Sequence, residues 1–593
     1  MREEWRALRM LLGTAWRTDP WRSAGLLLEP VSYLRFPLFA WFLKLLTDGV
    51  LGQDLRLLAV GAGGIAGTQA LWFVGVSVGS WIRVRLSEQV GFVLDTEIAE
   101  HLAALPGLEH FERPDYQDRL ELLRQGQSVL SGSLNALLNT ANAVVGGIGT
   151  IAGLALVSPW LLLLVPFALP ALPISAAQQR WRKEAEERSA EPGRRARHLQ
   201  ELTVDRAAGM ELRVFGLQRE VLARFRAASR ESRGIMVAVE RRCALLNSVG
   251  DLLFVAGFLG MVTLMLWRAA SGQATLGEVV MAVYLGQQVR TGVIAPIRSV
   301  AALGEALRAA GRMLWLRDYA RPAAGPRPEA APVPDRLADG IVFERVSFRY
   351  PGTDRWVLRD VSFRIPAGAV VALVGENGAG KTTVVKLLAR MYTPTEGRIL
   401  VDGVDLATLD TAAWRTRLAA AFQDFARFEV PAQHTVAVGD LPRLEDRAAV
   451  RTALERAGGA GVLEALPAGA ETQLGPRWEA GVDLSTGQWQ KLALGRALMR
   501  PDPLMVFFDE PTASLDALAE HALFDRYARA ARAHSARGTV TLLVSHRFST
   551  VRSADLILVM EGGGIREMGD HDALVLRNGL YAELYSMQAR AYR

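Results

Sequence analysis

The sequence predicts a multidomain membrane protein with an all-α transmembrane domain followed by an α/β domain. Three observations lead to this prediction. The chain has 593 residues, more than a single core usually supports. No charged residue occurs between Arg124 and Arg180, an interval long enough for membrane-spanning helices. After a Pro- and Ala-rich stretch, the sequence pattern changes to short β-rich segments that alternate with helices. We expect the membrane domain at 1–320, a linker at 321–338 and the α/β domain at 339–593.

Bulk composition agrees with a membrane-embedded part. Half of the residues are hydrophobic and the mean hydropathy is +0.14, which is high for a soluble enzyme of this length. The arginines behind the net charge of +6 flank apolar stretches and form no basic block with interleaved aromatics. We therefore expect the lipid bilayer as a partner, and no nucleic acid. Cys243 is the one cysteine, which excludes an intrachain disulfide, and we expect it to be a packed structural residue.

The N-terminal stretch predicts an amphipathic helix in the membrane interface. Large apolar residues recur at helical spacing on one face, and one arginine interrupts them. They are Trp5, Leu8, Leu12 and Trp16, with Arg9 as the interruption.

Apolar stretches predict about six membrane spans. The charge-free interval holds two of them, with a turn at Ser158, Pro159 and Trp160. The basic segments between spans should face the cytoplasm, and their length and helical pattern predict that the membrane helices continue well beyond the bilayer. The other predicted spans lie at 24–46, 57–82, 246–267 and 277–300.

Of the charged residues inside these apolar stretches, four are candidates for a functional role. Either they line a polar cavity, or they pair or snorkel near the interface. They are Glu29, Arg35, Asp251 and Arg290.

A glycine-rich loop in the second half follows a buried strand, AVVALVG, and precedes a helix, TVVKLLARMY. Loop N–H groups in this order can surround phosphate oxygens, while Lys381 reaches the terminal phosphates and the Thr382 hydroxyl ligates Mg²⁺. The sequence therefore predicts a P-loop NTPase domain that binds ATP and Mg²⁺. The expected nucleotide-binding residues here are Gly375, Glu376, Asn377, Gly378, Ala379, Gly380, Lys381, Thr382 and Thr383.

A second strand, LMVFFDE, ends in two carboxylates. At the end of a buried strand beside the phosphates, Asp509 is expected to hold Mg²⁺. Glu510 points the other way and is expected to act as general base toward the attacking water.

The segment LSTGQ, Leu484–Gln488, lies about twenty residues before this strand and is followed by a helix. With the phosphate loop and FFDE, it resembles the nucleotide-binding domain of ATP-binding cassette (ABC) transporters, and the resemblance covers essentially the whole chain. It implies that Tyr350 stacks on adenine and that Gln423 senses Mg²⁺. It also implies that Asp516 lies in the loop between two sites and that His546, with Lys381 and Glu510, serves hydrolysis.

The resemblance implies a dimer. Ser485, Gly487 and Gln488 would clamp ATP held by the phosphate loop of another domain, so a second half-transporter is required, in a homodimer or a heterodimer. The family's usual LSGGQ reads LSTGQ here, with Thr486 in place of glycine. A side chain there is expected to weaken clamping or slow hydrolysis, which favours a heterodimer slightly.

The membrane half resembles exporters with long cytoplasmic loops, and His110–Leu123 and Glu211–Gln218 resemble their two coupling helices. We expect ATP-driven export of a peptide, drug-like or lipid-like substrate at a bacterial cytoplasmic membrane, with the N-terminus and the nucleotide-binding domain in the cytoplasm. One alternative is siderophore-type import through the same architecture. A second alternative is a soluble ABC ATPase, and the charge-free interval argues against it. Leader-peptide cleavage is not expected, because the first apolar span begins by about residue 24.

Overall fold

The computed structural model describes residues 2–26, 29–33, 35–157, 159–324, 331–509, 538–545 and 551–591. They form two compact units. The helical unit comprises Met1–Leu102 and Leu120–Tyr319, and the α/β unit comprises Ala103–Arg119 and Ala320–Arg593.

The described residues of the N-terminal part form helices joined by short turns, with a 3-10 helix at Pro159–Leu164. Its α-helices are α1 Arg2–Thr18, α2 Pro20–Leu26, α3 Glu29–Ser32, α4 Arg35–Leu51, α5 Leu55–Ala104, α6 Glu109–Glu112, α7 Pro114–Gln125, α8 Gln127–Ser131, α9 Ser133–Val157, α10 Val165–Ala168, α11 Ala171–Val204, α12 Arg206–Val214, α13 Gln218–Ala270 and α14 Leu276–Ala324.

Four stretches within the described residues are long and apolar enough to cross a membrane: Leu55–Ala104, Ser133–Leu156, Pro159–Val204 and Gln218–Ala270. They include both predicted spans of the charge-free interval, which meet near Pro159 as expected. α5 has 50 residues, or about 75 Å at 1.5 Å per residue, more than twice the thickness of a bilayer core. The predicted continuation of the helices beyond the membrane is therefore present.

The first and last predicted spans differ from expectation. The stretch at 24–46 is distributed over α2, α3 and α4, because Pro30 and Pro37 lack the N–H that a continuous helix needs. α14 covers the span at 277–300 but is not among the four, because Gln287, Gln288 and Arg290 lower the hydropathy of its apolar stretch.

The two expected coupling helices have shifted bounds. The first is split into α6 and α7 at Arg113, which is extended (φ −84°, ψ 123°) because a residue before proline avoids helical geometry. The second is α12, where Asp205 caps the N-terminus by accepting a hydrogen bond from the Ala208 N–H at 2.7 Å. α12 ends at Val214, ahead of Gly216 with φ +65°, so it begins and ends earlier than expected.

The predicted linker at 321–338 also differs. α14 continues to Ala324, so the linker begins later than expected. Residues 325–330 lie outside the described part of the chain. Ala331 then forms a bridge with Leu409.

The α/β unit contains an antiparallel sheet in the order β2-β1-β4-β5 and a second sheet in the order β10-β9-β3-β8-β7-β6. In the second sheet, β9, β3, β8, β7 and β6 pair in parallel, and β10 is antiparallel to β9. The strands are β1 Gly340–Arg349, β2 Trp356–Pro366, β3 Val370–Gly375, β4 Glu396–Val401, β5 Val404–Asp405, β6 Leu418–Ala421, β7 Met505–Asp509, β8 Val540–Val544, β9 Leu556–Glu561 and β10 Gly564–Gly569. The helices are α15 Lys381–Leu388, α16 Thr411–Thr416, α17 Ala432–Ala437, α18 Arg447–Ala457, α19 Ala460–Glu464, α20 Thr486–Ala497, α21 His571–Arg577 and α22 Leu580–Ala591.

The central strand β3 is covered on both faces, as its unbroken apolar sequence predicts. Val371 and Leu373 enter one core, and Val370, Ala372 and Val374 enter the other. Each fully buried valine or leucine contributes about 1.5–3 kcal/mol. The strand is thereby fixed, and with it the loop that begins at its carboxyl end.

Candidate nucleotide-binding site

Parallel pairing brings the carboxyl ends of four strands to one edge of the sheet. Leu373 of β3 pairs with Val544 of β8, and Val544 pairs with Asp509 of β7. β7 in turn pairs with β6 through Phe508 and Ala421. Because ligands bind at this edge in α/β sheets, the register alone assembles a site from segments far apart in sequence.

The glycine-rich loop at this edge needs two of its glycines for conformational reasons. Gly375 has φ +149°, and a Cβ there would lie 2.2 Å from the Met560 carbonyl oxygen. Gly380 has φ +103°, and its Cβ would lie 2.7 Å from Leu358 Cδ2. Gly380 caps α15, so the loop leads directly to a helix N-terminus with N–H groups available to an anion.

Lys381 is buried and turned back on its own loop. Its ammonium donates hydrogen bonds to the Gly375 oxygen at 2.8 Å and the Glu376 oxygen at 2.9 Å. These carbonyls hold a positive charge at the loop, where phosphate oxygens bind in P-loop proteins.

The two threonines after Lys381 have different environments. The Thr382 side chain is exposed and makes no hydrogen bond with another described residue, so its hydroxyl is available as a metal ligand. Thr383 is buried, and its hydroxyl lies 3.1 Å from the Tyr350 hydroxyl. Because this hydroxyl is already paired, we expect Thr383 to contact the nucleotide through its backbone N–H.

Asp509 and Gln423 flank this edge. Asp509 is a buried residue at the end of β7, as expected. Gln423 is exposed and lies two residues beyond the end of β6. Three further predicted residues, Glu510, Asp516 and His546, lie outside the described residues. The described residue nearest to His546 in sequence is Ser545, whose N–H donates to the Leu373 oxygen at 3.3 Å.

The donor set fits Mg²⁺. Thr382, Gln423 and Asp509 offer a hydroxyl, an amide oxygen and a carboxylate, all of them hard oxygen ligands. Within the described ranges no three His, Cys, Asp or Glu residues come together as a metal cage. A site with one carboxylate is typical for Mg²⁺ that is held largely by substrate phosphates and water.

Tyr350 is half-buried, whereas its place before Pro351 predicts exposure on a turn. Its ring packs edge-on against Phe348 and Tyr392, with centroids 5.1 and 5.4 Å away. The Lys386 ammonium lies 5.2 Å from the Tyr350 ring centroid. Tyr350 also lines a cleft of about 600 Å³, which offers a place for a planar base beside the ring.

Glu112, on α6 of the same compact unit, contacts this aromatic cluster. Its carboxylate lies 2.8 Å from the Lys386 ammonium and accepts a hydrogen bond from the Tyr392 hydroxyl. Burial together with this hydrogen bond raises the pKa of Tyr392 above its usual range. Partial burial lowers the pKa of Lys386, but Glu112 and Tyr350 more than offset it and leave the pKa raised.

Sequence reasoning did not identify this set of contacts, because no local pattern relates Glu112 to residues more than 270 positions away.

The LSTGQ segment begins α20. Ser485 is exposed and caps the helix: its hydroxyl accepts from the Gln488 N–H at 3.2 Å, and the Gln488 side chain accepts from the Ser485 N–H at 2.9 Å. Gly487 has no atom within 4 Å of a Cβ position, which leaves its surface open. The predicted anion-binding surface is therefore a well-formed helix start.

Thr486 is the first residue of α20 and is exposed. It is not among the residues with positive φ, so the backbone there requires no glycine. The substitution consequently changes the surface and leaves the local fold unstrained.

Arg496, near the end of α20, joins this helix to the segment that follows Gln423. It donates to the Thr435 oxygen at 2.9 Å and to the Ala426 oxygen at 3.2 Å, and its guanidinium lies 4.4 Å from the Phe428 ring centroid. Burial lowers the pKa of Arg496 to about 10. The sequence did not predict this role of Arg496, because a single basic residue in a helical pattern is not a specific signal.

The charged residues predicted within apolar stretches belong to the helical unit. Glu29 Oε1 accepts a hydrogen bond from Asn142 at 3.0 Å and lies 3.4 Å from Arg83, so it is paired. The Arg35 guanidinium lies 3.9 Å from the Trp72 ring centroid. Asp251 is half-buried, and the side chain of Arg290 lies outside the described residues.

Comparison with known proteins identifies relatives of this chain. Residues 358–513 match the ABC transporter family. The chain is similar to an ATP-dependent lipid A-core flippase of Alkalilimnicola ehrlichii, with 32% identity over 74% of this chain and 72% of the relative. A flippase of the same name from Chromohalobacter salexigens is 29% identical over 93% of this chain and 92% of the relative. The match to the Burkholderia orbicola flippase, at 35% identity, covers 65% of this chain and 57% of that protein.

A solved structure shares the architecture. It is a bacterial Atm1-family ABC exporter with ATP bound, and it aligns with a TM-score of 0.74 and 25% identity over 97% of this chain and 98% of that one. The fold, the phosphate loop and the relatives agree, and this chain belongs to the ABC transporter family as an exporter-type half-transporter with ATPase activity.

Proposed function

We propose that two copies of this chain form a homodimeric exporter that moves a lipid-like amphiphile across the bacterial cytoplasmic membrane. The ATPase activity is supported by one observation. The strands β3, β7 and β6 end at the same edge of the sheet, where the phosphate loop, Asp509 and Gln423 lie. The lipid-like substrate is proposed because relatives over most of the chain are named lipid A-core flippases.

Each ATP site is proposed to combine two copies. Ala379 of the phosphate loop packs in the core between the two sheets, whereas Trp489 and Leu492 of α20 pack in a different apolar cluster with α17, α18 and α19. The exposed helix start at Ser485 is thus a separate anion-binding surface, suited to the ATP of a second copy. Thr486 leaves that surface unstrained, so it gives no reason to prefer a heterodimer over two identical copies.

Hydrolysis is proposed to use the chain's own residues as follows. Lys381 and the loop N–H groups hold the β- and γ-phosphates, and Tyr350 stacks on adenine. Glu510 accepts the proton of a water that attacks the γ-phosphorus, the bond to the β-phosphate oxygen breaks, and ADP and phosphate result. His546 contacts the γ-phosphate. Mg²⁺, held by Thr382, Gln423 and Asp509, would supply charge neutralisation at the phosphate oxygens.

Coupling is proposed to follow from differential affinity. ATP binds the closed pair of ATPase domains more tightly than the open pair, and only such a difference can shift the conformational equilibrium. Segment 103–119 belongs to the α/β unit and is continuous with α5, the 50-residue helix of the helical unit. We propose that this connection transmits the closure of the ATPase domains to the membrane helices. The N-terminus and the ATPase domain are proposed to lie in the cytoplasm.

The test is ATP hydrolysis by the purified full-length protein in lipid nanodiscs, with and without Mg²⁺. Glu510→Gln should lower kcat by about 10²–10⁴-fold, the contribution of a general base. Glu464→Gln, a change at an exposed position on α19, is the matched control and should leave kcat unchanged. Equal rates for wild type and Glu510→Gln would overturn the assignment of the base.

Substrate and direction need a separate measurement. Inside-out vesicles that expose the ATPase domains to added ATP should accumulate a fluorescent lipid analogue in the lumenal leaflet. A peptide added to the same vesicles in place of the lipid analogue should not be transported. ATP-dependent loss of the analogue from the lumenal leaflet would indicate import.

A further inference from the structure

The N-terminal helix α1 has a wider apolar arc than its packing covers. Small and aliphatic residues on one side enter the core of the helical unit together with Leu86 of α5 and Leu134 of α9. Those residues of α1 are Ala7, Met10, Leu11 and Ala15. The face that the sequence predicts as interfacial, with Trp5, Leu12 and Trp16, stays exposed beside them.

An open groove of about 810 Å³ lies along this uncovered side. Its floor is apolar: Leu8 and Leu12 come from α1, and Leu26 comes from α2. Leu86, Leu134 and Leu138 of the membrane helices complete it. A volume of this size is in the range of sites that bind one small molecule or lipid chain.

Three arginines of α1 line the same groove: Arg6, Arg9 and Arg17. All three are exposed, and none makes a hydrogen bond, ion pair or ring contact with another residue that the structure describes. Arg22 of the next helix behaves differently, since it pairs with Asp19 at 2.9 Å and donates to Gln89 at 3.2 Å. The described residues that line the groove include no carboxylate.

We infer that this groove is a binding site for an anionic phospholipid of the surrounding bilayer. An acyl chain would lie on the leucine floor, and the headgroup phosphate would accept hydrogen bonds from the free guanidinium groups. A zwitterionic lipid gains less from the arginines, because its own cation repels them.

A substitution at Gly13 can fill the groove without disturbing the packed side of α1. Gly13 lines the groove, and a Cβ there would meet nothing within 4 Å. Gly13→Phe should therefore occupy the lipid's place, and the loss of a helix-interior glycine favours the helix. Gly67 on α5 is equally open and lies outside the groove, so Gly67→Phe is the matched control.

The experiment is thermal unfolding of the full-length protein in detergent micelles, with added dioleoylphosphatidylglycerol or dioleoylphosphatidylcholine. Because a ligand of the folded state stabilises it by mass action, phosphatidylglycerol should raise the Tm of wild type by about 3 °C or more, and phosphatidylcholine by about 1 °C or less. Gly67→Phe should respond as wild type does. Gly13→Phe should lose the response to phosphatidylglycerol.

A second variant separates headgroup recognition from fold. The combined Arg6→Gln, Arg9→Gln and Arg17→Gln protein keeps the leucine floor and should respond equally weakly to both lipids. Equal responses of wild type to the two lipids would overturn the inference, and so would an unchanged preference in the arginine variant. A change of oligomeric mass in Gly13→Phe would also overturn it, because the groove would then be an interface with a second copy.

Discussion

The carboxylate of Glu112 lies 2.8 Å from the ammonium of Lys386 on the phosphate-loop helix α15. Lys386 in turn lies over the ring of Tyr350, the residue expected to stack on adenine. Glu112 lies on α6, the short helix that follows α5 in the chain, so this segment contacts a residue beside the proposed adenine cleft.

Loss of the Glu112 contact should weaken coupling. Both side chains are partly exposed, so the ion pair contributes only about 0.5–1 kcal/mol to stability, and Glu112→Ala should fold. We expect basal ATP hydrolysis to stay within about twofold of wild type, while stimulation by a lipid-like substrate falls several-fold. Steady-state ATPase assays in nanodiscs measure both quantities. Asp118→Ala, at an exposed position on α7 outside the cleft, is the control, and an equal loss in both variants would count against the Glu112 contact.

Removal of the Arg496 side-chain donors should destabilise the ATPase domain. Arg496→Met keeps much of the aliphatic volume but leaves the Thr435 and Ala426 oxygens without these donors. We expect a loss of about 2 kcal/mol, seen as a Tm lower by several degrees in the full-length protein. Arg451→Met at an exposed site on α18 should leave the Tm unchanged. A Tm for Arg496→Met equal to that of wild type would show that these bonds contribute nothing.

Restoring the usual glycine at position 486 should have a small effect. Thr486 is exposed, helical and unstrained, so the glycine variant gains no backbone freedom that the site requires. We expect Thr486→Gly to change kcat and the KM for ATP by less than about threefold, which is under 1 kcal/mol. A tenfold rise in kcat would instead show that threonine impairs the clamp and would favour a heterodimer.

Two substitutions of Ser485 should separate helix capping from ATP binding. Aspartate caps helices as well as serine does, but it places a negative charge against phosphate, whereas alanine lacks the cap. We therefore expect Ser485→Asp to keep the wild-type Tm and to lose most ATPase activity. Ser485→Ala should lower the Tm through a loss of about 1 kcal/mol. High activity in Ser485→Asp would exclude Ser485 from the phosphate contacts.

The amino-acid sequence was most informative where chemistry is local. The order strand, glycine loop and helix around Lys381 is visible in one continuous segment, and Asp509 at the end of an apolar run follows the same logic. The sequence could not show that Tyr350 is half-buried, because its neighbour Tyr392 is 42 positions away and no periodicity relates them.

Helix bounds were least predictable near prolines. Arg113 is extended because Pro114 follows it, which splits a pattern that reads as one amphipathic helix. The uncovered groove beside α1 was also beyond sequence reasoning. Helical spacing assigns Leu8 and Leu12 to an apolar face, but only the packing of Ala7 and Leu11 shows which part of that face the unit leaves open.

Mixed dimers show whether each ATP site is formed by two copies of the chain. Two differently tagged copies are purified together, one with Lys381→Ala and the other with Ser485→Asp. If each site joins the phosphate loop of one copy to Ser485 of the other, this pair retains one intact site, and it should trap ATP at about half the wild-type amount. A copy with both substitutions, paired with a wild-type copy, should trap almost none. The opposite result, with trapping only in the second pair, would contradict the composite site.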